Sequence, residues 1–253
     1  MAKLYKGSIE MLLEYSSLEK EEVTEVSIVG NVEIPTNNAI INVSLLWDEP
    51  IFGWTEGTSI HIISSETILF PRDSSNMFYH MAKLKSIRLE GISTRNVTNM
   101  DGMFRKCESL TSLDVSGFDT SHVTNMSFMF SGCKSLRSLD LSNFNTSDVI
   151  TMLCMFKECE SLTSLDVSRF DTSHVFDMRF MFAACRSLTS LNVSGFDTSN
   201  VKHMQCMFVS CKSLRSLDVS NFNTTCLQGS WGMFKGCVNL SKRSYTRRWH
   251  RWL

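Results

Sequence analysis

A 26-residue repeat is the feature that most constrains how this chain folds. Pairs of methionine and phenylalanine recur at that interval, and no insertion or deletion breaks the register between Met77 and Leu240. The pairs are Met77-Phe78, Met103-Phe104, Met129-Phe130, Met155-Phe156, Met181-Phe182, Met207-Phe208 and Met233-Phe234. A period of this length indicates one supersecondary unit stacked on copies of itself. Function therefore has to be sought in columns, the sets of residues that occupy one position in successive units.

The first half of a unit has the pattern of a strand. Leu113 and Val115 alternate with Ser112, Asp114 and Ser116, as expected for a strand with one buried face. Because successive units keep the same register, stacked strands of this kind would form a parallel sheet.

The second half of a unit has the spacing of a helix. Met126, Met129, Phe130 and Cys133 lie at i, i+3, i+4 and i+7, which predicts about two helical turns with these side chains inward. We therefore predict an α/β repeat, a leucine-rich-repeat-like solenoid of about six 26-residue coils. In this prediction a parallel sheet and short helices form the coils, and a β-rich segment covers the N-terminal end.

The unit L-x-x-L-D-V-S-x-F-D-T-S-x-V-T-x-M-x-x-M-F-x-x-C resembles the repeat of the BspA-like leucine-rich-repeat surface proteins of bacteria. The resemblance covers roughly residues 76–240. It implies a non-catalytic protein of the cell surface, or a secreted one, with a role in adhesion.

Phenylalanine stands where an ordinary leucine-rich repeat has a column of asparagine. We expect these rings to stack on one another, so that the backbone beside them needs other hydrogen-bond partners. The phenylalanines are Phe118, Phe144, Phe170, Phe196 and Phe222. The candidate partners are Thr120, Thr146, Thr172, Thr198 and Thr224.

Three segments are predicted: residues 1–72, the repeats at 73–240 and a tail at 241–253. Residues Glu10 to Glu25 have the composition of an acidic helix. Short strands are expected at Val23–Val29, Val32–Ile34, Ile40–Leu46, Ile60–Ile63 and Thr67–Phe70. This first segment is either a cap on the repeats or a small binding module with exposed aromatic residues. The candidate aromatics are Trp47, Phe52 and Trp54.

The tail is basic and aromatic. Its residues are Lys242, Arg243, Arg247, Arg248, Trp249, Arg251 and Trp252. Such an end either is solvated or completes the last cap, and the alternative is contact with a membrane surface or a nucleic acid.

Composition excludes several classes of protein. The 253 residues are 43% apolar and carry a net charge of −1, which gives no bias toward nucleic acid. No apolar run is long enough to cross a membrane. The N-terminal residues contain neither a signal-peptide pattern nor a lipid-anchor cysteine, so a cytoplasmic location stays open beside the surface location that the resemblance implies.

Six of the nine cysteines occupy one column. They are Cys107, Cys133, Cys159, Cys185, Cys211 and Cys237. Equivalent Cβ atoms in stacked coils would be ~4.8 Å apart with parallel vectors, whereas a disulfide requires about 3.8 Å. We expect a ladder of free thiols. Cys154, Cys206 and Cys226 lie outside it.

One column brings two histidines and a carboxylate together. His122, Asp148 and His174 occupy the same position in three successive coils and could form part of a zinc site. The same column also holds Asn96, Asn200 and Cys226, which is typical of a variable exposed position. No cofactor is expected.

A regular polar face is the predicted place for a ligand. Its candidate residues are Asp114, Arg137, Asp140, Asp166, Asn192, Arg215 and Asp218. The alternative is that these side chains form a solvated surface. Because stacking places like residues beside like, it does not assemble the unlike groups of an active site. We expect a monomeric, non-catalytic interaction protein with a protein or glycan ligand. The alternatives are an intracellular scaffold and an enzyme within residues 1–72.

Overall fold

The computed structural model describes residues 1–4, 7–34, 41–43 and 50–241. These residues contain one α-helix, α1 (Ser8–Ser16), and a single turn of 3₁₀-helix at Lys20–Glu22. The strands are β1 (Ala2–Lys3), β2 (Glu25–Val29), β3 (Ile41–Asn42), β4 (Phe52–Glu56), β5 (Ser59–Ile63), β6 (Ile68–Leu69), β7 (Ser86–Glu90) and β8 (Ile92–Ser93).

Two small sheets join the N-terminal segment to the first coil. The larger has the strand order β3-β4-β5-β2-β7, and β7 belongs to the first coil. It pairs in parallel with β2, so that Val26 lies opposite Ile87. The smaller sheet has the order β1-β6-β8. The apolar core is continuous from Ala2 to Leu240.

The predicted α/β leucine-rich-repeat-like solenoid is wrong, because the described coils contain no helix. The segment from Met100 to Cys107 consists of successive turns instead. Its amides at Met103 and Cys107 donate to carbonyls three residues back, at Met100 and Phe104. An α-helix would bond each amide to the carbonyl four residues back.

Alternate amides of this turn segment leave the coil and bond the next one. Met100, Gly102, Phe104 and Lys106 each donate to a carbonyl 25 residues further along the chain, at N···O distances of 2.7–2.9 Å. These four bonds recur from coil to coil. The inter-coil pairing is extended by single parallel bridges at Asp73, Asn99, Asn125, Thr151, Asp177, His203 and Gly229.

Left-handed backbone makes this alternation possible. Two positions per coil have positive φ, and most of them are not glycine. The first column is Gly102, Phe128, Cys154, Phe180, Cys206 and Gly232, with φ between 55° and 68°. The second is Lys106, Gly132, Glu158, Ala184, Ser210 and Gly236, with φ between 57° and 79°. A left-handed residue reverses the direction of the next peptide group, which a right-handed helix cannot do.

The predicted parallel sheet on the Leu-Asp-Val half of the coil is also wrong beyond β7. Leu113 and Val115 are buried and Ser112 and Asp114 are exposed, so the predicted alternation is confirmed. However, neighbouring coils share about one backbone bond here, such as Arg137 N to Thr111 O at 3.3 Å. The close pairing between coils lies on the turn side instead.

A column of stacked phenylalanine rings runs through the core, but it is the Met-Phe column. Its rings lie 5.2–5.9 Å apart from centre to centre and within 12° of parallel. The members are Phe78, Phe104, Phe130, Phe156, Phe182, Phe208 and Phe234. The Phe118 column is buried, yet Phe118 contacts Phe70 and Phe104 rather than the next ring of its own column. At about 1.5–3 kcal/mol per buried large side chain, these columns are the main stabilising contribution.

The N-terminal segment is partly as predicted. The acidic helix expected at Glu10 to Glu25 is shorter, because α1 ends at Ser16 and Ser17 has a φ of 55°. Strands were correctly placed at β2 and β5, and near β3 and β6, whereas 32–34 is not a strand. Trp47 and the basic tail at 242–253 lie outside the described residues.

Two adjacent alanines distinguish the turn backbone from a helix. Ala184 has φ +57°, and Ala183 is 2% exposed with φ in the ordinary negative range. We predict that Ala184→Gly stabilises the protein by roughly 0.5–1 kcal/mol, because glycine removes left-handed strain that exceeds its extra unfolded-state entropy. Ala183→Gly should destabilise it by about 1 kcal/mol.

Urea unfolding of both variants measures the difference. In a helix both substitutions would cost about 1 kcal/mol. Equal destabilisation by the two glycines would therefore contradict the turn assignment.

Candidate ligand-binding face

The polar face predicted to bind a ligand is exposed, and its acidic residues also shape the chain locally. We call it the serine-aspartate face; it comprises the columns of Ser112, Asp114 and Ser116. The Oδ1 atom of Asp114 accepts a hydrogen bond from the amide of Ser116 at 2.9 Å. Equivalent bonds are made by Asp140, Asp166, Asn192 and Asp218. Each side chain thus closes an Asx turn, which asparagine performs as well as aspartate.

The carboxylates of this face are ionised at neutral pH. Hydrogen bonding from Ser116 lowers the pKa of Asp114, and the corresponding serines lower the pKa of Asp166 and Asp218. The Ser142 amide and hydroxyl likewise lower the pKa of Asp140, although the neighbouring Asp114 and Asp166 carboxylates oppose that shift. Since only Oδ1 is used in the turn bond, Oδ2 remains available to solvent or a ligand.

Arg137 and Arg215 interrupt the regular pattern of residues beside this face. Both are exposed, in a column that holds threonine in three other coils. Their amides bond Thr111 and Thr189 of the preceding coil at 3.3 and 3.1 Å. The structure therefore places both arginines on the rim of the serine-aspartate face, three coils apart.

Buried threonines provide the predicted partners for the turn backbone. Thr120 is 1% exposed; its Oγ1 atom donates to the carbonyl of Asn145 at 2.9 Å and accepts from the Asn145 amide at 2.8 Å. The same inter-coil donation is made by Thr94, Thr146, Thr172 and Thr198. This prediction is confirmed for Thr120, Thr146, Thr172 and Thr198.

The cysteine column is a ladder of free thiols, as predicted. All nine cysteines are free, and each Sγ of the ladder donates to a phenylalanine carbonyl 29 residues earlier. The S···O distances are between 2.9 and 3.3 Å. Burial raises the pKa of Cys107 and Cys185 to about 12. These thiols therefore pack and bond the backbone, and they are protonated at neutral pH.

The zinc hypothesis gains no support from the arrangement of side chains. His122, Asp148 and His174 are exposed in successive coils, and the Nδ1 atom of His174 bonds the carbonyl of Ser147 at 2.9 Å. Within the described part of the chain, no three His, Cys, Asp or Glu side chains are grouped so that they could hold a metal ion.

The N-terminal segment has an open, acidic cavity of about 440 Å³ beside α1. Glu10, Glu14 and Glu19 line it, and Lys20 pairs with Glu10 at 3.1 Å. The candidate aromatics Phe52 and Trp54 are half-buried, and Trp54 stacks on His61. They do not form an exposed aromatic cluster in the described residues.

Sequence reasoning missed one exposed apolar pair. Ile150 is 44% exposed and Phe176 is 40% exposed, at equivalent positions in successive coils. The signal was present in the sequence, because that column holds a different residue in each of five coils: Thr124, Ile150, Phe176, Lys202 and Gln228.

The inter-coil hydrogen bonds made by the buried threonines can be tested at Thr120. Thr120→Val removes the hydroxyl while keeping the branched shape, so the Asn145 amide and carbonyl lose their partner. We predict a loss of about 1–3 kcal/mol in the free energy of unfolding. Thr120→Ser keeps the hydroxyl and should cost less, about 1 kcal/mol for the lost methyl group. Thermal unfolding should rank serine above valine, and the reverse order would rule out the hydrogen-bonding role.

The buried thiols predict a loss of stability at alkaline pH. Their folded pKa is raised from 9.0 to about 12, so the unfolded chain releases protons first as the pH rises. Stability is complete below about pH 9 and falls between about 9 and 12, by up to about 1.4 kcal/mol per pH unit for each thiol. The double variant Cys107→Ser, Cys185→Ser should flatten that slope in denaturant titrations at several pH values. An unchanged slope would show that these thiols are not the cause.

No helix in the described part of the chain is long and apolar enough to span a membrane.

Comparison with known proteins gives a family and no further relative. No curated protein and no solved structure matched the chain significantly. A family described as "Mycoplasma protein of unknown function, DUF285" matches it twice, at residues 72–166 and 156–250. The two matches cover most of the chain and coincide with the repeat array. The chain therefore belongs to the DUF285 family of repeat proteins.

Proposed function

We propose that this chain is a non-catalytic interaction protein that binds its ligand on the serine-aspartate face. The observation that carries the proposal is that the repeated polar residues fall into columns with different structural roles. The Thr120 and Cys107 columns are mostly buried and bond backbone between coils, whereas the acidic column is exposed and its turn bond uses only one side-chain oxygen. The face thus offers the same polar group in successive coils.

A regular row of this kind suits a ligand that is itself regular. Parallel neighbours in a β-bridge are ~4.8 Å apart, so five coils present four carboxylates, one amide and their serines over about 20 Å. Many weak contacts to one extended molecule add up through multivalency. The ligand class proposed is an extended glycan or protein with repeated hydroxyl or basic groups. The resemblance to BspA-like proteins supports adhesion at the cell surface as the setting.

Three aspartates can be neutralised without loss of their turn bonds. Asn192 already occupies the Asp114 column and bonds its serine amide at 3.1 Å, so asparagine is compatible with the fold. We predict that the triple variant Asp114→Asn, Asp140→Asn, Asp166→Asn weakens binding to a ligand found on glycan and matrix-protein arrays by at least about tenfold. Surface plasmon resonance measures the change.

A matched control removes the same charge from another column. Asp119, Asp171 and Asp197 also close Asx turns, and Asn145 and Asn223 occupy their column naturally. The triple variant Asp119→Asn, Asp171→Asn, Asp197→Asn should leave the affinity within about twofold. Equal losses in both triple variants would indicate a general charge effect and would refute this face as the binding site.

A further inference from the structure

Two coils that are nearly identical differ mainly in the second half of the repeat unit. Units 108–133 and 160–185 are identical except at six of 26 positions. The differing pairs are 117/169, 124/176, 125/177, 127/179, 131/183 and 132/184. Five of the six lie in the second half of the unit. By contrast, the serine of the Ser112 column is the same in every coil from 108 to 237. Exposure alone therefore does not explain where the coils vary.

The columns of His122 and Thr124 form one exposed surface, which we call the variable face. Val123 lies between them and is fully buried, so positions 122 and 124 point to the same side. The backbone ties the coils closely here: Ile150 N donates to Thr124 O at 2.9 Å. The same hydrogen bond recurs in the next coil, where Phe176 N donates to Ile150 O at 3.0 Å. The exposed side chains of Ile150 and Phe176 are therefore held side by side by hydrogen-bonded backbone.

Polar groups with complementary chemistry flank this apolar pair. Asp148 is exposed and has neither a hydrogen-bond nor an ion-pair partner among the described residues. His174, in the next coil, has its Nδ1 atom within 2.9 Å of the Ser147 carbonyl. Because a carbonyl only accepts, Nδ1 carries the hydrogen, and Nε2 remains for another partner.

In place of the monomer expected from the sequence, we propose that two copies of this chain associate face to face through the variable face, with their coils running in opposite directions. The two-fold axis passes between units 134–159 and 160–185 and lies in the plane of contact. This symmetry sets each Ile150 against the partner's Phe176. It also sets each Asp148 against the partner's His174. Every such contact occurs twice, as a two-fold interface requires.

The variable face fits a second copy because it is self-complementary under that rotation. An aliphatic side chain meets an aromatic ring, and a carboxylate meets an imidazole. In the next row outward, Lys202 meets the partner's Thr124, so no like charges are opposed. The named contacts involve six residues of each copy, compared with roughly 20–30 residues a side in stable complexes, so the dimer is a dissociable one.

Sedimentation velocity of the full chain over about 1–300 µM tests the proposal, with a dimer population that grows with concentration as the expected result. The double variant Ile150→Thr, Phe176→Gln uses residues that the same column carries at Thr124 and Gln228. It should weaken dimerisation at least about tenfold. The control Trp231→Gln removes an aromatic side chain that is 62% exposed, and its column carries glutamine at Gln205. It should leave the dimer unchanged.

Complementary charge variants test the arrangement itself. Asp148→Lys opposes two basic pairs in its own dimer, and His174→Asp opposes two acidic pairs, so each variant alone should be a monomer. Mixed together they should form a heterodimer, because lysine then meets aspartate and histidine meets aspartate.

Four results would overturn the proposal. They are a wild-type monomer at every concentration, a dimer unaffected by the double variant, equal weakening by Trp231→Gln, and no heterodimer in the mixture. None of them bears on ligand binding by the serine-aspartate face, so the two proposals fail separately.

Discussion

The fold depends on backbone hydrogen bonds between coils along the Met-Phe turn segment. In each coil, amides such as those of Gly102 and Phe104 donate to carbonyls of the next coil, and the amides between them close turns within their own coil. Both sets of bonds are needed, because a buried backbone group without a partner costs free energy. This alternation fixes the stacking register, and it places Met103, Phe104 and Cys107 in the core.

Polar side chains complete the pairing where backbone alone does not reach. Thr120 joins one coil to the next from inside the core. The side-chain amide of Asn143 donates to the carbonyls of Ser116 and Phe118 in the preceding coil. The ladder thiols bond carbonyls of the stacked phenylalanines. Residues that recur most faithfully are thus mostly committed to stacking. Both binding proposals therefore rest on exposed groups that take no part in stacking, on the serine-aspartate face and on the variable face.

Sequence reasoning predicted what each column does better than how the backbone runs. Burial of Met126, Val115 and the ladder cysteines follows from residue type and strict register, and all are buried except Cys237, which is partly buried. The inter-coil role of Thr120 followed from the need for partners at the turn. The helix was wrong because consecutive turns and a helix both bring residues i, i+3, i+4 and i+7 to one side. Phe128 and Glu158 have left-handed conformations that these residue types rarely adopt, so the local sequence does not predict them.

The candidate sites show the same division. The acidic column was visible in the sequence, but its turn-closing bond to the serine two residues later required coordinates. Ile150 and Phe176 stand in a column whose residue changes from coil to coil, so the repeat pattern does not single them out. The surface setting that the BspA-like resemblance implies stays a prediction, whereas its leucine-rich-repeat geometry does not apply to the described coils.

The most direct test of the account is detection of scalar couplings across hydrogen bonds by nuclear magnetic resonance on the labelled chain. The amide of Phe104 should couple to the carbonyl carbon of Met129 in the next coil, since the N···O distance there is 2.9 Å. Corresponding couplings should recur at the equivalent amides of the following coils. A coupling from Phe104 to the carbonyl of Met100, four residues back, would reveal a helix and contradict the account.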